Sequence, residues 1–102
     1  MAEVASYQVL VYGGPDGYMT NRSQITLYGT TGATVAYLRF NDPGMVFETD
    51  ALVSGVINMH LPSTSFQSVL DILRNEKPIR VYFAQGRGFF GTSVQEPVGE
   101  GE

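Results

Sequence analysis

Along most of this chain apolar and polar residues alternate one for one, the period of a strand with one buried face. Over one stretch the period lengthens to about 3.6. Phe66, Val69, Leu70 and Leu73 then fall on one side of a helix expected over about 64–75. Thr64 and Gln67 are spaced as a capping box ahead of it, and Pro78 stops it. The alternating runs predict strands over 7–12, about 22–28, 34–40, 52–61, 79–84 and 89–94. Residues 45–49 read as either a short strand or a loop. Gly- and Pro-bearing clusters at 13–17, 29–32, 41–44 and 85–88 read as turns. Gly55, inside the 52–61 run, reads as the mark of a bulge.

Sorted by phase, the strand residues fall into two sets. Val9, Val11, Ile25, Leu27, Leu38, Phe40, Ile57 and Met59 make an aliphatic face. Gln24, Thr26, Tyr28, Tyr37, Arg39, Asn58, His60, Arg80 and Tyr82 make the reverse. The expected fold is α+β: a mostly antiparallel sheet, or small open barrel, of five to six strands, with one helix before the last hairpin. A helix of this length spans ~16 Å and cannot cover such a sheet alone. Phe89 and Phe90 are adjacent and must point to opposite faces, so one of them lies outside the main core. That surplus aromatic surface argues for closure into a barrel or for a homo-oligomer.

Composition bounds the function more than it identifies it. The chain has 102 residues, enough for one domain, with 43% hydrophobic and 16% charged residues. Residues 1–94 read as a single compact domain and 95–102 as an acidic flexible tail. Three of the ten acids, Glu96, Glu100 and Glu102, lie in that tail. Without them seven acids face six bases, so the body is near −1 against −4 for the whole. Four of the bases (Arg74, Lys77, Arg80 and Arg87) lie between the helix end and the last turn. This balance opposes general polyanion binding but leaves room for a local basic patch. There is no cysteine, hence no disulfide framework and no thiolate chemistry. The first residues lack the basic and apolar pattern of a signal peptide, and no run is long enough to span a bilayer. A cytoplasmic location without membrane partners is the expectation.

Catalysis is not expected. His60 is the only histidine, and no spacing rule ties it to Glu48 or Asp50. It reads as a half-exposed sheet residue. Asp42, Glu48 and Asp50 lack the alternating oxygen pattern of a calcium loop, and no metal or other cofactor is expected. The Gly-rich cluster at 13–17 lacks the phosphate-loop form and contains a proline, so it reads as a plain turn.

Residues 86–91, Gly-Arg-Gly-Phe-Phe-Gly, partly resemble the RNA-recognition-motif signature. They depart from it where that motif has Gly or Ala between two aromatics, and no second βαβ unit follows, so they read as a tight hairpin. Arg87, Phe89 and Phe90 are its candidate contact residues. Tyr28, Tyr37, Arg39, His60, Arg80 and Tyr82 are the candidate ligand or partner face. The leading expectation is a non-enzymatic interaction or structural module that self-associates as a dimer or higher oligomer. The alternative is a single-stranded nucleic-acid-binding domain that stacks bases on the Tyr/Arg face. Strands followed by one helix also resemble, in topology alone, small β-sheet coactivator domains that dimerise and grip single strands.

Overall fold

The computed structural model describes residues 2–45 and 48–92. The fold is α+β, with two sheets instead of one and, among the described residues, no closed barrel. In chain order the strands are β1 (Ala2–Val4), β2 (Ser6–Val11), β3 (Ser23–Tyr28), β4 (Thr34–Asn41), β5 (Ala51–Val53), β6 (Val56–Pro62), β7 (Ile79–Ala84) and β8 (Arg87–Thr92). A 3-10 turn (Ser63–Ser65) leads into α1 (Phe66–Asn75). The larger sheet has the order β2-β3-β4-β6-β5 and the smaller β1-β7-β8. All pairs are antiparallel except β4 with β6. The expected tail over 95–102 lies outside the described residues, as do Val46 and Phe47 of the 45–49 stretch. The described remainder of that stretch is not strand.

The expected aliphatic face is the inner face of the larger sheet. Ile25, Leu27, Leu38, Phe40, Ile57 and Met59 are buried there, and Val9 packs against them. Val11 does not join: it is 66% exposed near the free end of edge strand β2. The smaller sheet joins the anticipated helix in covering this face. Ile79 and Val81 of β7, with Phe90 of β8, close over the core from the smaller sheet, and Val69 and Leu73 close it from α1. Phe66 meets Phe40 edge-on, with ring centroids 5.2 Å apart. Ile72, rather than Leu70, supplies the helix's further core contact. Each large side chain buried in this way stabilises the fold by about 1.5–3 kcal/mol.

Two local expectations change. The run 52–61 is not one bulged strand but a hairpin. Ser54 and Gly55, at φ 51° and 82°, form the two-residue turn between β5 and β6. The second strand of that hairpin lies beside β4, which makes the β4–β6 pair parallel. The capping box is not formed either: Ser65 is the N-cap and no side chain caps the helix. Gln67 instead donates from Nε2 to Asp71 Oδ1 at 2.9 Å, one turn along. The helix still ends at Asn75, with extended Glu76 as its C-cap ahead of Pro78.

Besides the link through α1, two ties between the sheets stand out among the described residues. Residues 2–11 form one extended segment that serves the smaller sheet through β1 and the larger through β2. It crosses at Ala5, whose N–H donates to Tyr28 O at 2.8 Å. On the other side β6 outruns its partner β5, which pairs only with residues 56–58. Asp50 takes over there. Its Oδ1 accepts the His60 N–H and its Oδ2 the Gly88 N–H, each at 2.8 Å.

Candidate functional site

The alternation that buries Ile25, Leu38 and Met59 sends Gln24, Arg39 and His60 outward in one cross-strand row. Thr26, Tyr37 and Asn58 form the next row. Arg39 lies flat across them. Its Nε donates to Gln24 Oε1 at 3.2 Å and its Nη1 donates to Asn58 Oδ1, while its guanidinium carbon sits 4.8 Å from the centre of the Tyr37 ring. Gln24 passes the network on, donating from Nε2 to Thr26 Oγ1 at 3.1 Å.

The segment 12–21 rises beside this floor and makes it a concavity of about 470 Å³, with Tyr12, Tyr18, Met19 and Asn21 in its wall and Glu48 also lining it. The wall is built with care. Arg22 donates from Nη1 to Tyr12 O at 2.6 Å and Gly14 O at 2.9 Å, and from Nη2 to Pro15 O at 3.2 Å. Its Nε pairs with Asp42 Oδ2 at 2.6 Å. The Arg22 guanidinium, and then a hydrogen bond from Ser63, hold the Asp42 carboxyl below its ordinary range. Buried Asn41 donates from Nδ2 to Thr20 O at 2.7 Å and to Asn21 Oδ1 at 3.2 Å.

At the tip, Tyr18 and Asn21 exchange both backbone hydrogen bonds at 2.9 Å around a two-residue turn. Met19 and Thr20 occupy that turn at φ 51° and 63°. The geometry suits Asn-Gly, and a β-branched residue there is strained. Such strain collects at binding and catalytic sites. The turn holds Tyr18 60% and Met19 74% exposed at the mouth of the concavity. The Tyr12 and Tyr18 rings lie 5.3 Å apart, tilted by 52°.

His60 is half-buried, and its Nδ1 is buried without a partner among the described residues. Desolvation is the main cause of its lowered pKa. Arg39 adds to the lowering, while Glu48 and Asp50 oppose it. The row therefore carries a neutral imidazole at neutral pH beside a permanent cation.

The sequence-derived face divides between two surfaces. Tyr37, Arg39 and His60 line the concavity. Tyr28 shares their face but uses its hydroxyl to donate to Gln8 Oε1 at 3.0 Å. Arg80 and Tyr82 belong to the smaller sheet and lie on its outer side, across the core from Arg39. There Tyr82 stacks on Phe89 at 4.7 Å and 9°, beside exposed Arg87, and Arg80 lies 3.6 Å from Glu3. Of the adjacent phenylalanines, Phe90 is the one turned to the core. Tyr12, Tyr18, Met19 and Glu48 were not among the expected site residues. The available signal was a pair of tyrosines bracketing a Gly/Pro turn. No family model, curated protein or solved structure matches this chain.

Proposed function

We propose that the protein is a non-enzymatic interaction module that associates with a second copy of itself, β2 edge to β2 edge. The observation that carries this reading is the state of β2. Among the described residues it pairs with β3 on one side only, and it contains no charged residue over Ser6–Val11. It also leaves Leu10 46% and Val11 66% exposed. Soluble proteins protect such edges with lysine, proline, bulges or very short strands. The other described edges are shorter or partly occupied. β1 and β5 have three residues each, and the Gly88 N–H of β8 is occupied by Asp50. A two-fold antiparallel contact through β2 joins two five-stranded sheets into one and puts no like charges opposite each other.

The nucleic-acid alternative has less geometric support. A strand laid on the larger sheet meets Arg39 but not Arg80 or Tyr82, and the net charge is −4.

Light scattering on the eluting protein tests the proposal. The expected mass is twice 11.1 kDa for the wild type, falling to one chain for Val11→Lys. A wild-type mass of one chain at concentrations up to about 10⁻⁴ M overturns it.

A further inference from the structure

We infer that the concavity over β3, β4 and β6 is a binding site for a small aromatic carboxylate, its ring against Tyr12 and Tyr18 and its oxygens on Arg39. Three observations lead there. The first concerns charge. Arg39 is half-buried and held in place, yet among the described residues its partners are neutral: two amide oxygens and a tyrosine ring. The ion pairs among these residues belong to Arg22 and Arg80. A fixed, partly desolvated cation with no carboxylate within ion-pairing distance among the described residues is half of an anion site. Of the five guanidinium N–H groups, those on Nε and one on Nη1 are committed. No described residue accepts from Nη2, which leaves it for a planar acceptor, and the cost of ordering the side chain has been met in advance.

The second observation concerns shape. Tyr12 and Tyr18 present a tilted aromatic pair beside the guanidinium, and the strained turn at Met19 and Thr20 holds that pair over a polar floor. Flat apolar surface next to one fixed donor group suits a ligand with a ring and an anionic end. His60, whose Nδ1 has no partner among the described residues, lines the same concavity.

The third observation selects the anion. Glu48 lines the same concavity. A dianion such as a phosphate monoester meets its repulsion twice over, whereas a carboxylate carries one charge and matches the guanidinium plane.

The site is on the larger sheet's outer face, and this inference is independent of pairing through β2. The test is an amide-resolved NMR titration of the full chain with benzoate, benzamide and AMP. Benzoate is expected to bind with a Kd of about 10⁻³ M or tighter, with shifts centred on Gln24, Arg39 and His60. Benzamide, which lacks the charge, is expected to bind about tenfold more weakly. Arg39→Lys keeps the charge but loses the fork and should weaken benzoate several-fold, whereas Arg39→Gln, which loses both, should weaken it tenfold or more. Tyr18→Ala, at an exposed position that leaves the fold intact, should also weaken it, and Arg87→Gln on the opposite side should not. Shifts scattered over both faces, equal binding of benzamide, or full affinity in Tyr18→Ala overturns the inference. AMP binding more tightly than benzoate overturns the choice of a carboxylate.

Discussion

Asp50 and Gly88 are 38 positions apart, yet the carboxylate of one accepts the amide of the other at 2.8 Å. The second carboxylate oxygen holds the His60 N–H at the same distance. One side chain therefore connects the edge of β6 to the edge of β8 and fixes the backbone under the concavity. Asp50→Ala leaves two strand amides without their charged acceptor and should cost about 2 kcal/mol. The expected readout is a urea midpoint shift at constant slope, with Tm lower by roughly 10 °C. A variant as stable as the wild type would remove Asp50 as a link between the sheets.

His60 gives a pH signature that is simple to read, because the chain has no other histidine. Burial, reinforced by Arg39, lowers its folded-state pKa below 6.5 despite Glu48 and Asp50. The unfolded chain therefore binds a proton more readily than the native one. The associated stability is fully present above pH 6.5 and is lost as pH falls through the folded pKa. The imidazole resonance should titrate with a midpoint under 6.5 in the native protein. Replacing His60 with Gln should flatten the stability profile between that midpoint and neutrality. A midpoint at or above 6.5 contradicts the burial argument.

The turn at Met19 and Thr20 should be improvable. Replacing the pair by Asn-Gly supplies residues suited to positive φ at both positions and should stabilise the protein by about 1 kcal/mol, measured by denaturant unfolding. The same double variant removes an exposed Met from the mouth of the concavity. Any loss of ligand binding that accompanies the gain in stability would mark the strain as part of the site. A loss of stability would show that these two residues are not strained as placed.

Gly88 has a second role besides meeting Asp50. A Cβ there would collide with Met59 Cγ and lie 2.8 Å from its Sδ and 3.0 Å from Ile57 Cγ2. Gly88→Ala should therefore destabilise by about 1–3 kcal/mol, through overpacking between the sheets. The double variant with Met59→Ala should recover part of that loss, because the two changes act on one contact.

The phase of β3, β4, β6 and β7 was legible from the sequence because a one-residue error would turn every buried side chain to solvent, whereas β1 and the separate β5 were not read at all. That constraint places Ile25 and Leu27 inside and Arg39 and His60 outside, and it separates Phe89 from Phe90. Helix α1 was legible because its apolar spacing breaks the strand period. Alternation says which way a side chain points relative to its own sheet, but not which sheet that is. Arg80 and Tyr82 therefore read as neighbours of Tyr37 and Arg39, although a second sheet carries them across the core. The concavity was hidden for a related reason. Its wall depends on Arg22 and Asn41 anchoring a turn through long-range hydrogen bonds, and those have no local signature. The Ser54-Gly55 hairpin was the exception, visible as a glycine but assigned to a bulge.

The crossing at Ala5 governs how the molecule opens. Because a single stretch of chain edges both sheets, a fluctuation that peels β2 from β3 also loosens β1 from β7. Protection against amide exchange in these two pairs should then fall together, as one cooperative unit, and the protein has no cheap route to baring half of its interior while the other half stays closed.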